Sequence, residues 1–269
     1  MNACDDSATE LVEVHPAPLS LRDWCLCAVV RRVGPAPVRA TVQASTWASL
    51  NVVVEGEVHG ARGALPHRFV TAPFPVPFDT VTCGPMQSIT LVMQPWAMHA
   101  LAGSPAGSLG VEPVDGASLA ARSLDELFDT MQRACVVGDL HALWSALAER
   151  STRVEAVRPE LACGELLAGG VEAAARALGC SPRQYLRRFR NAMGLAPSTW
   201  MRVGRWESVL RDLAGGAEAP MAQLALQHGF CDQAHLARDT RSLSKAAPAR
   251  LRQLLHVGGM PWSLRPANV

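Results

Sequence analysis

Lysine is absent from the first 170 residues of this chain, and a long apolar run is absent from all of it. Crossing a bilayer as a helix takes ~20 consecutive apolar residues. No stretch approaches that, so a membrane-spanning helix is excluded. Met1–Glu10 is acidic and polar, without the basic and apolar regions of a secretory signal. Paired CxxC spacing is missing too: the eight cysteines, at 4, 25, 27, 83, 135, 163, 180 and 231, are scattered. That speaks against a disulfide framework and for free, mostly buried thiols in a reducing compartment. Cys25 and Cys27, two apart in a predicted strand, are expected on one face, where they cannot easily bond each other. A soluble, cytoplasmic protein is the expectation.

The signatures of enzymes are also missing. There is no Gly-x-x-x-x-Gly-Lys-Ser/Thr phosphate loop and no Gly-x-Ser-x-Gly elbow. Gly103-Ser104 and Gly107-Ser108 invite that search but read as a loop. His59, His67 and His99 form no His-x-His pair, and Glu55 with Glu57 reads as surface carboxylates on one strand face. Neither a nucleophile nor a ligand set emerges, so no enzyme, no cofactor and no metal site are predicted.

What is present is a division of charge. Residues 1–170 carry 11 arginines against 18 carboxylates, whereas residues 171–256 carry 13 basic residues against 6 acidic ones. An acidic half joined to a basic half suits a nucleic-acid reader attached to a non-binding domain. The expected fold class is α+β: an antiparallel β-rich, barrel- or sandwich-like domain with flanking helices, then an all-α domain. Short apolar stretches (Cys25–Val30, Leu50–Val54, Ile89–Met93), punctuated at Gly34-Pro35, Gly56, Gly60 and Gly84-Pro85, predict the strands. Ser123 with Glu126 predicts a capping box opening a helix to about Cys135. A second helix is expected over 139–150, with Leu140, Leu143, Trp144 and Leu147 on one stripe. The predicted division is 1–150 for the β-rich sensor or association domain and 151–170 for a linker region containing a short helix. Residues 171–256 form the reading domain, and 257–269 a tail.

The basic half reads twice. At an offset of 51 residues, Ala174 falls on Ala225, Cys180 on Cys231, Ser181 on Asp232, Arg187 on Arg238, Arg190 on Arg241 and Pro197 on Pro248. Each copy runs apolar helix, Gly-containing turn, capped helix with arginines, helix stop. In the first copy Ser181 caps, Pro182 takes the first helical position and Gly194 ends the helix. Tyr185 and Phe189 face inward while Arg183, Arg187 and Arg190 form an outward stripe. Ser198 is expected to cap a long connecting helix, and Asp232 to cap the second reading helix.

These residues resemble the DNA-binding domain of AraC/XylS-type transcription regulators. The matching text is Ser181-Pro-Arg-Gln-Tyr-Leu-Arg-Arg-Phe-Arg-Asn-Ala-Met-Gly194-Leu-Ala-Pro197, then Leu224-Ala-Leu-Gln-His-Gly-Phe-Cys-Asp-Gln-Ala-His-Leu-Ala-Arg238, closing at Pro248. The resemblance covers about a third of the chain and implies seven helices, two of them in adjacent major-groove segments. Residues 20–150 more loosely resemble the β-rich N-terminal domain of such regulators. The second copy departs from the pattern: Thr240 and Ser244 stand where a large aromatic is expected, and Lys245 replaces a glycine. Leu243 is expected to turn partly inward in compensation.

Arginine's planar fork meets guanine O6 and N7 together, and glutamine matches adenine N6 and N7. Arg183, Arg187 and then Gln184 are therefore the candidate base readers of the first copy, with Arg188 and Arg190 directed to phosphates. In the second, the candidates are Gln233, Ala234, His235, Arg238 and Arg241; Asp239 beside the groove would repel phosphate unless paired, with Arg238 the candidate partner. The predicted function is sequence-specific binding of double-stranded promoter DNA, with RNA polymerase a further candidate partner and the state, monomer or homodimer, open. Trp24, Trp47, Phe69, Phe74, Phe78 and Trp96 either line an apolar pocket for a small organic effector or simply fill a core. The rival reading is a helical protein–protein adaptor that has lost DNA affinity.

Overall fold

A computed structural model describes residues 10–119, 122–248 and 250–251. Among the described residues eight antiparallel strands come first: β1 (Glu10–Pro16), β2 (Cys25–Val33), β3 (Val38–Val42), β4 (Ala48–Gly60), β5 (Gly63–Ala64), β6 (Arg68–Thr71), β7 (Phe78–Met93) and, after two short helices, β8 (Val114–Asp115). They lie in the order β1-β2-β7-β4-β6-β8, with β3 also on β7 and β5 on β4. The short helices are α1 (Met98–Ala102) and α2 (Ala106–Leu109). Then come α3 (Arg122–Val137), α4 (His141–Ala156), α5 (Cys163–Ala177), α6 (Pro182–Met193), α7 (Pro197–Ala214), α8 (Met221–Gln227) and α9 (Gln233–Ser244). A β-rich N-terminal part and a helical C-terminal part are thus both present.

Some expected breaks are bends. Gly56 and Gly84-Pro85 lie inside β4 and β7, and Gly60 is the last residue of β4. Gly56 has φ 79°, and a Cβ there would strike the Pro85 carbonyl oxygen and the Met86 backbone. Register shifts between Val53 and Glu55 and between Glu55 and Glu57 bend the strand without ending it. A further shift between Cys25 and Cys27 overturns the expected shared face. Cys25, Ala28 and Val30 join the main core, whereas Cys27 and Val29 pack with Val92 on the opposite side. Both thiols are free and buried, and burial raises the Cys27 pKa to about 12.

The main core runs from the sheet (Val30, Leu50, Val70, Ile89, Leu91) through Trp24 and Met98 to Leu124, Leu127, Phe128 and Met131 of α3. It continues without a gap through Leu143 and Leu147 of α4 to Ala174, Tyr185 and Phe189. A second cluster, built on Val203, Trp206, Leu210, Leu224, Phe230, Leu236 and Leu243, stands apart and takes Ala44 from the sheet domain.

Four helix-boundary expectations change. Ser123 lies inside α3, its carbonyl accepts from Arg150, and Glu126 pairs with Arg122 and Arg150, so no capping box forms there. Ser198 lies inside α7, which starts at Pro197 behind Ala196. Proline preset for the first turn makes a Ser198 cap unnecessary. The helix of 139–150 runs on to Ala156, and α5 begins at Cys163 and breaks at Gly170 (φ 75°, ψ −167°).

Candidate nucleic-acid interface

The first motif is α5 beyond Gly170, a turn at Gly179 (φ 59°), and α6. The capping box that sequence reading placed at Ser123 sits here instead. The Gln184 amide donates to Ser181 Oγ at 3.3 Å, and the Ser181 amide donates to Gln184 Oε1 at 3.0 Å. Gln184, a candidate base reader, therefore has its side-chain oxygen engaged in the cap, leaving its NH₂ to donate. Tyr185 and Phe189 are buried, and the Tyr185 hydroxyl donates to the Leu161 carbonyl at 2.9 Å. Burial raises the Tyr185 pKa to about 12, so the phenol stays a donor at neutral pH. Phe189 meets Trp200 edge-on at 5.6 Å, tying α6 to α7.

Arg183, Arg187, Arg188 and Arg190 are all exposed. Arg188 borders a cleft shared with Trp96, His99 and Glu160, so it faces the sheet domain as well as solvent. α2 abuts the end of α6 so closely that a Cβ on Gly107 would strike the Arg190 carbonyl oxygen. Gly194 closes α6 in the left-handed region at φ 73°.

The second motif is α8, a turn through Gly229 (φ 73°), and α9. The His235 amide donates to Asp232 Oδ1 at 2.6 Å, making the expected cap. Gln233, Ala234, Arg238 and Arg241 are exposed. His235 is half-buried: its ring stands edge-on to Phe230 at 5.2 Å, and its Nδ1 accepts from the Cys231 amide at 3.4 Å.

Asp239 is buried and pairs with Arg202 of α7 at 2.9 Å, not with Arg238. Asp239 lies six positions after Gln233, the exposed start of α9, and α7 packs on that inner side. Asp239 is thereby withdrawn from the exposed face of α9.

The missing aromatic is replaced by internal polar bonds plus Leu243. Thr240 Oγ1 donates to the Leu236 carbonyl at 2.8 Å, Ser244 Oγ donates to the Thr240 carbonyl at 2.7 Å, and Leu243 is fully buried. Lys245 ends the helix at φ 59°, where the first motif uses Gly194, and its ammonium meets Asp79 of β7 at 2.7 Å.

Sequence reading missed three residues. Glu207 is buried on α7, accepting from the Thr46 amide at 2.9 Å and the Thr46 hydroxyl at 2.5 Å. Arg202 was missed in the same way. The available signal was helical spacing: Glu207 shares the inward face of Val203, Trp206 and Leu210, an unusual place for a carboxylate. Thr46 carried no signal, because only the fold brings it there.

Between the sheet and the end of α9 lies a cavity of about 810 Å³. Trp47, Phe69, Phe74 and Phe78 line it, whereas Trp24 and Trp96 belong to the core. One wall carries a hydrogen-bonded ladder: Ser49 meets Thr71 at 2.6 Å, Asn51 donates to Ser49 at 2.8 Å, and Thr90 donates to Asn51 at 2.9 Å. Ser244 and Lys245 close one side. Among the described residues no group of three or more His, Cys, Asp or Glu could hold a metal ion, and no helix is long and apolar enough to cross a membrane.

A helix-turn-helix domain family matches residues 174–254, the stretch that holds both motifs. Those residues are a helix-turn-helix domain of the AraC type. No protein with curated annotation matches the chain. Among solved structures, unsaturated-fatty-acid-bound ToxT from Vibrio cholerae aligns over 93% of this chain and 97% of that one, at 8% identity and a TM-score of 0.45. ToxT from the same organism bound to (E)-4-(8-methylnaphthalen-1-yl)but-3-enoic acid aligns over 92% and 99%, at 9% identity and a TM-score of 0.44. Within the AraC-type domain, α7 joins the two motifs in one polypeptide and touches α5, α6 and α9.

Proposed function

We propose that this chain is a sequence-specific DNA-binding transcription regulator that reads two adjacent major-groove segments of promoter DNA. The observation that carries this is the repeated turn and capped helix, each copy presenting arginines to solvent on the side away from its core. Arg183, Arg187 and the amide of Gln184 are the base readers of the first motif, with Arg188 and Arg190 on phosphates. In the second motif Gln233, Ala234 and Arg238 reach base edges and Arg241 a phosphate, while His235 supports the turn. The chemistry is binding and positioning; no bond is made or broken. The cavity is the site for a small organic effector, and the acidic sheet domain is the candidate surface for RNA polymerase. The adaptor reading loses its motivation, since Thr240, Ser244 and Asp239 are all inward and bonded and leave the exposed face unspoiled.

Titration of the full chain onto a duplex pool at several salt concentrations tests this. Binding whose log–log salt slope shrinks by about one unit in Arg188→Ala supports the reading. Arg187→Ala should weaken a preferred duplex by about 1–3 kcal/mol and relax preference at one base pair. Absence of binding at low salt, or equal losses on preferred and random duplex, refutes it.

A further inference from the structure

The β3–β4 connector, residues 43–47, crosses from the sheet to the second motif and touches it at two separate elements. The Ala44 amide donates to the Leu243 carbonyl at the end of α9 at 2.9 Å, and the Ala44 side chain enters the second core cluster. Two residues on, the Thr46 amide and hydroxyl both donate to the Glu207 carboxylate of α7. Glu207 is only 4% exposed, and its short-range partners are hydrogen-bond donors of the connector, not a cation within ion-pair distance. A buried carboxylate without an ion-pair partner depends chiefly on its hydrogen-bond donors, with Arg211 one turn along α7 adding only attraction at a distance. Here the donors come from the other half of the chain. Ser45, between the two contacts, exchanges backbone hydrogen bonds with Phe74 at 2.9 and 3.0 Å, and Phe74 lines the cavity. The first motif has no equivalent need, because its helices are continuous with the main core.

We propose that Glu207 is a positioning residue for DNA reading. Clasped by Thr46, it holds α7 and the end of α9 on the sheet domain and so sets the attitude of the second reading helix relative to the first. The inference rests on the regulator reading and assigns control of one motif, not both, to the sheet domain. It gives the wall of the cavity a direct route, hydrogen-bonded from Phe74 to Ser45 and then along the backbone to Thr46 and Ala44, into the motif that reads the second segment. Thr46→Ala removes one donor and leaves the reading face untouched. Thr46→Ser and Glu207→Gln keep a bonded pair and serve as rescue variants.

The test is selection of preferred duplexes from a randomised pool by wild-type full-length protein and these variants. Thr46→Ala should retain the base preferences that depend on Arg187 and lose, or respace, those that depend on Arg238. Thr46→Ser and Glu207→Gln should retain both. Identical selections by Thr46→Ala and wild type, or equal loss over both segments, overturn the proposal. If wild type selects no sequence, the regulator reading fails, and amide exchange then decides the clasp alone. Thr46→Ala should exchange about tenfold faster at 43–47, 205–211 and 241–246, the worth of one hydrogen bond to a charged group, with 183–193 unchanged. Unchanged exchange, or acceleration across both motifs, overturns it.

Discussion

The two helix-turn-helix motifs share a plan but differ in how they are anchored. The first closes its turn with a capping box, fills its interior with Tyr185, Phe189 and Trp200, and merges with the core of the sheet domain. The second has a small core of its own, lines the inner face of its reading helix with Asp239, Thr240 and Ser244, and meets the sheet domain through a connector and one surface ion pair. Aromatic burial makes the first motif part of a large cooperative unit. Polar pairing makes the second a smaller unit whose placement depends on a few directional bonds. Such a unit is free to open at a free energy below that of the whole chain.

The comparison can be broken most directly through the cores. Phe189→Ala should cost about 3–5 kcal/mol and lower the denaturation midpoint of sheet and helices together. Leu243→Ala should cost about 2–5 kcal/mol but show itself as an earlier, separate transition of the second motif. Far-UV and tryptophan signals that move together in both variants would dissolve the distinction. Next in size is Arg202→Ala, which leaves the buried Asp239 with only the distant His235 ring at 3.8 Å; the cost should be about 1–3 kcal/mol, localised to α7–α9 by amide exchange. An effect spread over α5 and α6 would contradict the localisation.

A pH series sharpens the contrast further. Burial raises the Glu207 pKa above the ordinary glutamate value, outweighing the Thr46 hydrogen bonds that lower it. The folded state thus favours the protonated acid. Its contribution is fully present below the unfolded pKa and is lost as pH rises through the higher folded one. Glu207→Gln should therefore gain stability relative to wild type as pH rises from that ordinary value, measured by urea unfolding; parallel curves would argue against it. The smallest effect belongs to Lys245→Gly. Relief of a left-handed non-glycine residue is worth about 1 kcal/mol, against a half-exposed ion pair worth less. A modest rise in Tm is expected, and a fall would mean that the Asp79 contact matters more than the backbone.

Much of this was legible in residue order. The repeat offset, the inward Tyr185 and Phe189, the caps at Ser181 and Asp232 and the stop at Gly194 are local patterns, and local geometry carries them out. Glycine was read less well: Gly56 and Gly84 look like strand ends, yet paired neighbours on both sides carry β4 and β7 through them as bends. Ser123 had the spacing of a cap but falls within the first turn of α3, whereas Ser181 stands just ahead of α6 with Gln184 in place to answer it. Asp239 looked like a groove-side charge because its partner lies 37 residues earlier on α7.

Periodicity and turn chemistry, acting over a few residues, were enough to specify two reading helices, their exposed arginines and the division into a β-rich and a helical part. Which motif joins the main core, which polar groups face inward in pairs, and how Thr46 comes to hold Glu207 were decided only in three dimensions. Those contacts link residues far apart in the chain, where sequence spacing carries no information about distance.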